Sequence, residues 1–193
     1  MARPRKFSED DVLTCAMMTF WRLGFDATTM RELERLSGVG IRSLHNTFGD
    51  KDEMFARALA QYRGMVAGLL DQMFSEPGVE TIARFFEGSA QPTETPEDPR
   101  NAGCLVVNSV FEIPQMPETA AAEIQAYRQM FIDRFRASLV ADSIPEAEAK
   151  AEYLLGSLWG VLSQIRLAQD TRAAAPMAKI IAQTVRGWQR EQA

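Results

Sequence analysis

A glycine-containing turn, residues 37–40 (Ser-Gly-Val-Gly), separates two short segments whose apolar residues have helical spacing. The first segment begins with Thr29-Met30-Arg31-Glu32, a pattern typical of a capping box, and the second runs to about Phe48. Two short helices joined by such a turn define the helix-turn-helix motif, whose second helix enters the DNA major groove. The spacing predicts this motif, although short helix pairs also occur in helical bundles without any role in DNA binding.

The rest of the chain has the same helical pattern. Apolar residues recur at helical intervals along nearly all 193 residues, and the period-two alternation of a half-buried strand is absent. Turn-forming residues divide the chain into three short helices and a larger bundle, with about nine helices in total. We therefore expect an all-α fold, with an N-terminal domain over residues 1–50 and a helical domain over residues 51–193.

Caps and prolines predict individual boundaries. Ser8 and Asp50 are suitable N-caps for the first and fourth helices, and a proline-rich acidic loop is expected over residues 91–100. Residues 103–113 are expected to contain a short buried helix. Pro145 is expected in the first turn of the penultimate helix, where proline is tolerated.

The distribution of charge bears on a nucleic-acid partner. The net charge of the chain is −5, which by itself argues against one. Residues 1–63, however, carry ten Lys and Arg against nine Asp and Glu, whereas residues 64–193 carry eleven against seventeen. Because local charge governs how a surface meets phosphates, this division permits DNA binding at the N-terminal end.

Several classes of protein are not supported by the sequence. Cys15 and Cys104 are far apart and have no metal-ligating partner nearby, so we expect no disulfide, no metal and no cofactor. No nucleophile–base pair or phosphate-binding loop is recognisable, and we expect no catalytic activity. The N-terminus lacks the apolar run of a signal peptide, and no stretch is apolar enough to span a membrane. A cytoplasmic protein is expected.

The predicted motif supplies candidates for DNA contact. Four apolar residues are spaced to fix the angle between its helices: Leu33, Leu36, Val39 and Leu44. Five residues are left to face outward from the second helix: Ile41, Arg42, Ser43, His45 and Asn46. Arg and Asn make bidentate contacts with guanine and adenine, and Ser or His bonds to bases or phosphates. Candidate phosphate contacts are Thr29 and Lys51 at helix N-termini. The arm residues Arg3, Arg5 and Lys6 either follow the DNA or form a solvated tail.

These segments resemble the DNA-binding domain of the TetR/AcrR family of bacterial regulators. The similarity covers residues 5–62 and rests chiefly on residues 24–33 (GFDATTMREL), 37–40 and 43–51 (SLHNTFGDK). The resemblance implies a helix-turn-helix that reads double-stranded operator DNA of palindromic sequence. It also implies a C-terminal bundle that binds a small-molecule effector and pairs its last two long helices in a homodimer.

Two positions depart from the family pattern. His45 stands where the family usually has a DNA-contacting Tyr, and Thr47 replaces a residue that is often His. We hypothesise that His45 keeps this contact through its imidazole, with some dependence on pH. The alternative is a small-molecule-binding or scaffold protein whose DNA affinity is weak or lost.

The last two long helices are apolar on more than one face. The penultimate helix interleaves large apolar residues with Gly156 and Gly160, and the last helix carries Ile180 and Trp188. Helices of this kind are buried on more than one face, either in the core of their own chain or against a partner. Symmetric contact with a second copy of the chain is the commonest form of the latter. The pattern therefore favours a homodimer.

Several aromatic residues lie on helices that enclose a cavity in the family, and Asn108 is a polar residue in an otherwise apolar segment. The candidate effector contacts are Phe85, Phe86, Cys104, Asn108, Phe111, Tyr127, Phe131 and Trp159. The alternative for the aromatic residues is ordinary core packing. Asn108 ends a segment, GCLVVN, that resembles an element of one AcrR-like subgroup. Cys104 is either a thiol that senses oxidants or electrophiles, or a small buried apolar residue.

The patterns and the resemblance together predict a ligand-responsive transcriptional repressor. It is expected to bind operator DNA as a homodimer, without any membrane partner. Binding of a small molecule in the bundle is expected to change the spacing of the two second helices, so that they no longer match successive major grooves.

Overall fold

The computed structural model describes residues 8–110 and 116–190. This part of the chain contains nine α-helices and no strand, which confirms the predicted all-α class. The helices are α1 (Glu9–Leu23), α2 (Met30–Ser37), α3 (Ile41–Phe48), α4 (Lys51–Met73), α5 (Val79–Ser89), α6 (Leu105–Ser109), α7 (Glu118–Ala141), α8 (Ala147–Ala168) and α9 (Ala175–Arg190). Short 3-10 helices, Pro99–Ala102 and Thr171–Ala174, precede α6 and α9. No helix in the described ranges is long and apolar enough to cross a membrane.

Side-chain caps fix the starts of the N-terminal helices. The carboxylate of Asp50 accepts from the backbone N–H of Glu53, and the Glu53 carboxylate accepts from the backbone N–H of Asp50, which forms a complete capping box at α4. At α2, the Thr29 hydroxyl accepts from the N–H of Glu32 as predicted. The carboxylate of Glu32 accepts from Arg35 and not from the backbone N–H of Thr29. Of the two bonds in the predicted capping box, the structure therefore shows the one accepted by Thr29.

Two predicted boundaries need correction. Helix α8 begins at Ala147 with Glu146 as its N-cap, so Pro145 precedes the helix instead of lying in its first turn. Glu146 has a φ of 56°, and this left-handed residue separates the proline from the helix. The short buried helix predicted over residues 103–113 is α6, which has five residues; residues 111–113 lie outside the described part of the chain.

Helix α4 contacts the helices on both sides of the predicted domain boundary. Phe55 packs against Phe20 of α1, with ring centroids 4.8 Å apart. Two helical turns later, the ring of Tyr62 packs against that of Trp21 on α1 and that of Tyr127 on α7, with centroid distances of 4.9 and 6.0 Å. Nearly all buried apolar residues of the described chain form one continuous cluster. A separation into two domains at residue 50 therefore stays a prediction.

Ion pairs connect the outer faces of the bundle. Arg186 of α9 donates to the carboxylates of Glu80 and Glu87 on α5, with N–O distances of 2.7 and 2.6 Å. The guanidinium holds the pKa of Glu80 below its usual range. The stabilisation that this ion pair gives the folded state is therefore present at neutral pH and is lost as the pH falls through the lowered pKa. Because the pair is solvent-exposed, the apolar packing beneath it contributes more to stability.

A glycine brings the turn before α6 close to α8. Gly103 has a φ of 77°, which side chains rarely adopt. A Cβ at this position would lie 2.9 Å from the carbonyl oxygen of Leu162 and 3.1 Å from the Cβ of Arg166. Both the backbone conformation and the close approach to α8 therefore require glycine.

Replacing Gly103 by Ala is expected to lower the free energy of unfolding by about 1–3 kcal/mol, because a strained φ is combined with a backbone clash. Gly64 of α4 is the matched control, since a Cβ there meets nothing within 4 Å. Gly64→Ala should leave stability unchanged or raise it by up to about 1 kcal/mol. Urea unfolding measures both variants, and equal stabilities would contradict this account of Gly103.

Candidate nucleic-acid interface

Helix α3 has one buried face and one face in solvent. Leu44 and Phe48 are 0% and 2% exposed and attach the helix to the core. Four of the five residues predicted to face outward are exposed: Arg42, Ser43, His45 and Asn46. The fifth, Ile41, is half-buried in the first turn of the helix. The exposed face of α3 thus presents a guanidinium, a hydroxyl, an imidazole and an amide, all of which can bond to DNA bases or phosphates.

The angle between α2 and α3 is fixed by fewer residues than predicted. Leu33 and Val39 are buried, as expected. Leu36 is 44% exposed, and it lines a shallow groove between α1 and α2 together with Met18 and Leu23. The prediction for Leu36 was wrong because its side chain lies along this groove and not in the interior of the turn.

The turn itself contains a bond that the sequence analysis missed. Gly38 has a φ of 70° and ends α2 by donating its N–H to the carbonyl oxygen of Glu34. The carboxylate of Glu34 then accepts from the backbone N–H of Ile41, with an N–O distance of 2.8 Å. These residues are seven apart and belong to different helices, so no local capping pattern could have revealed the contact.

The candidate phosphate contacts have different surroundings. Thr29 is exposed, and its hydroxyl oxygen caps α2. Lys51 lies with its ammonium 4.1 Å from the centroid of the Phe25 ring and 3.5 Å from the carbonyl oxygen of Asp26. Lys51 therefore ties the start of α4 to the turn after α1. The predicted arm contacts at Arg3, Arg5 and Lys6 lie outside the described residues.

Three of the predicted effector contacts form part of an aromatic cluster. The centroid of the Phe85 ring is 5.5 Å from that of Phe86 and 5.9 Å from that of Phe131. Phe74 and Phe135 complete the cluster, with Phe135 stacked on Phe86 at 6.0 Å. Phe85, Phe86 and Phe131 are all buried, which agrees with the core-packing alternative.

A buried polar group adjoins this cluster. The Sγ of Cys104 lies 3.2 Å from the hydroxyl oxygen of Tyr127, and the ring of Tyr127 stacks beside Tyr62. Burial, as the larger cause, and interaction with Cys104, as the smaller one, raise the pKa of both phenols well above the usual value. Both hydroxyls therefore keep their protons at neutral pH. Cys104 is 1% exposed, as the buried-residue alternative predicts.

Tyr62 was missed by the sequence analysis, although its position carries a signal. It lies seven residues after Phe55, which places both on the buried stripe of α4. A hydroxyl on such a stripe needs a polar partner. Tyr127 packs against Phe131 at 5.1 Å, so the polar group and the aromatic cluster are continuous.

The remaining predicted effector contacts lie elsewhere or are not described. The side-chain amide of Asn108 donates to the carbonyl oxygen of Ala102 at 2.9 Å, and Asn108 lines a cleft beside Arg166. Trp159 is half-buried, and its enclosed indole N–H has no hydrogen-bond partner within the described part of the chain. Phe111 lies outside the described residues.

The arrangement of the helices defines an all-α protein with an N-terminal helix-turn-helix. Residues 12–58 match the model of the tetR family of bacterial regulatory proteins. Three curated relatives are matched over 51% to 62% of their own length. One of them is the uncharacterised HTH-type transcriptional regulator YezE of Bacillus subtilis, which is 30% identical over 123 residues, 62% of this chain and 62% of that protein.

Solved structures share the fold over most of the described chain. A TetR-family regulator from Agrobacterium tumefaciens has a TM-score of 0.77 at 21% identity, covering 91% of this chain and 95% of that one. A cysteine mutant of the TetR-family regulator CifR, complexed with 26 bp double-strand operator DNA, has a TM-score of 0.77 at 24% identity. The match covers 94% of this chain and 98% of that one. The N-terminal region therefore matches the tetR family model, and the fold of the chain is that of solved TetR-family structures.

Proposed function

We propose that the chain is a sequence-specific, DNA-binding transcriptional regulator. It acts in the cytoplasm as a repressor without catalytic activity, and a small molecule bound in the C-terminal bundle releases it from its operator. The exposed polar face of α3 carries this proposal, because four side chains suited to DNA lie on a helix that Leu44 and Phe48 hold against the core. The operator complex of CifR, which has the same fold, supports it.

In the proposed complex α3 lies in the major groove. Arg42 and Asn46 read base edges, while Ser43 and His45 bond to bases or phosphates. The exposed hydroxyl of Thr29 and the ammonium of Lys51 contact phosphates at the N-termini of α2 and α4. The basic arm formed by Arg3, Arg5 and Lys6 contacts the backbone or the minor groove.

Replacing Arg42 by Ala is expected to weaken binding to DNA from upstream of the protein's own gene by about 1–3 kcal/mol, the usual loss for a bidentate base contact. Arg84→Ala is the matched control, since Arg84 is also an exposed arginine and lies on α5, far from α3 in the chain. A mobility-shift assay over a salt series measures both variants. If the parent binds weakly and without sequence preference, the proposed function is contradicted. That result would favour the alternative, a small-molecule-binding or scaffold protein whose DNA affinity is weak or lost.

We also propose that the regulator is a homodimer formed by α8 and α9. Tyr153, Leu167 and Ile180 are large apolar side chains that are exposed on these helices in the single chain. The two glycines of α8 have different surroundings. A Cβ at Gly160 would lie 2.7 Å from the Cε of Met177 on α9, whereas a Cβ at Gly156 meets nothing within 4 Å. Gly160 therefore serves packing within one chain, and Gly156 leaves an open surface for a second copy.

Replacing Gly156 by Arg is expected to convert the dimer into a monomer, because a long charged side chain then occupies the surface where two copies of α8 meet. Gly64→Arg is the matched control, as it places the same side chain at an open glycine in the middle of α4. Sedimentation velocity should show one-chain mass for Gly156→Arg and two-chain mass for the parent and the control. A dimeric Gly156→Arg variant would place the interface elsewhere.

The effector is proposed to bind at the interior of the bundle. The aromatic cluster of Phe85, Phe86 and Phe131 provides apolar surface, and the adjoining hydroxyl of Tyr127 provides a hydrogen-bond donor. Apolar walls with a few polar groups are the usual composition of small-molecule sites. This placement makes residues 51–193 the sensing and dimerising part of the chain and residues 1–50 the DNA-reading part.

A further inference from the structure

The helix that is proposed to read DNA has no capping side chain of its own. Its N-cap residue is Gly40, whereas Ser8, Thr29 and Asp50 cap α1, α2 and α4 with side-chain oxygens. The first N–H groups of any helix have no partner within the helix. Unless they find an acceptor elsewhere, the first turn of the helix frays. Among the four N-terminal helices, α3 therefore depends on another element for its first turn.

Glu34 of α2 supplies the missing acceptor. One oxygen of its carboxylate lies 2.8 Å from the backbone nitrogen of Ile41, the first residue of α3. The backbone carbonyl of the same residue accepts from the N–H of Gly38 at 3.0 Å, which ends α2. Glu34 thus bonds to both sides of the turn. Its negative charge also lies at the N-terminal end of α3, where the helix dipole favours an anion.

We propose that Glu34 is a positioning residue for operator recognition. By joining the end of α2 to the start of α3, its carboxylate fixes the orientation of the first turn of α3 and hence of Arg42 and Ser43. The N-terminal residues of a recognition helix are the ones that contact base edges, so a small rotation of this turn changes the fit to the bases. The role of Glu34 rests on the proposed function, because it acts through residues that are proposed to touch DNA.

The surroundings of Gly40 allow the cap to be moved to another residue. Gly40 has φ −56° and ψ 142°, which serine adopts without strain. A Cβ at this position would lie 3.8 Å from the nearest Glu34 carboxylate oxygen, an ordinary contact distance. A serine at position 40 can therefore accept from the N–H of the second or third residue of α3 through its own hydroxyl.

The test compares four variants of the full chain: Glu34→Ala, Glu34→Gln, Glu34→Ala combined with Gly40→Ser, and Glu32→Ala. The last is the matched control, because it removes the same charge from the same helix, where Glu32 pairs with Arg35 and not with α3. The first measurement is the ratio of affinities for DNA from upstream of the protein's own gene and for a scrambled duplex. The second is amide hydrogen exchange at residues 41–44 without DNA.

Glu34→Ala should lower the affinity ratio roughly five- to tenfold, the scale of one lost cap, and should accelerate exchange at residues 41–44. Glu34→Gln keeps an acceptor oxygen, so its affinity ratio should stay within about twofold of that of the parent. Gly40→Ser should restore most of the loss caused by Glu34→Ala. Glu32→Ala should leave both measurements unchanged.

Three results would overturn the proposal. They are an unchanged affinity ratio in Glu34→Ala, an equal loss in Glu32→Ala, and a failure of both Glu34→Gln and the Gly40→Ser combination to retain discrimination. If the parent itself shows no preference for the upstream DNA, the proposed function fails. The exchange measurement then still decides whether Glu34 caps α3: faster exchange in Glu34→Ala supports the cap, and unchanged exchange overturns it.

Discussion

The packing of α4 between two groups of helices is the contact on which the rest of the structure depends. Phe55 fixes α4 against α1 through Phe20, and Tyr62 fixes it against both Trp21 of α1 and Tyr127 of α7. The same helix begins with the capping box at Asp50, two residues after α3 ends. A displacement of α4 relative to α7 therefore moves α1 and the helix-turn-helix with it, because packed interiors transmit displacements.

This arrangement gives the proposed effector response a physical route. Tyr127 contacts the aromatic cluster through Phe131 and contacts α4 through Tyr62, with Cys104 hydrogen-bonded to the same phenol. In the proposed function, a molecule that binds between the aromatic rings would change the position of Tyr127 and with it that of α4. Such a ligand shifts the equilibrium only as far as it binds one arrangement of the helices better than the other. An ion pair between Arg63 of α4 and Glu123 of α7 also joins these two helices.

Much of the fold could be predicted from local patterns in the sequence. The caps at Thr29 and Asp50 and the glycine turn at Gly38 locate their helices, because capping and left-handed turns are decided by neighbouring residues. The exposure of Arg42 and Asn46 followed from helical periodicity in the same way. Local patterns failed at Pro145 and Leu36, where tertiary packing sets the helix start and the direction of the side chain.

Contacts between distant residues could not be predicted. The bond from the Ile41 N–H to Glu34 crosses a turn, and the group formed by Tyr62, Cys104 and Tyr127 joins α4 and α7 to the residue that precedes α6. Cys104 and Tyr127 were separate candidates in the sequence, and only the structure shows that they share a hydrogen bond. Asn108 was a candidate for effector contact because of its polarity, whereas the structure shows its amide donating to the carbonyl oxygen of Ala102 at the end of the preceding 3-10 helix.

In the proposed function, two copies of α3 read DNA together. This can be tested by selecting bound duplexes from a randomised pool with the full chain and sequencing them. We expect an enriched palindrome whose half-sites are separated by about one helical turn, roughly 34 Å, or a multiple of it. A selected pool with no enriched sequence, or with a single half-site lacking two-fold symmetry, would contradict it.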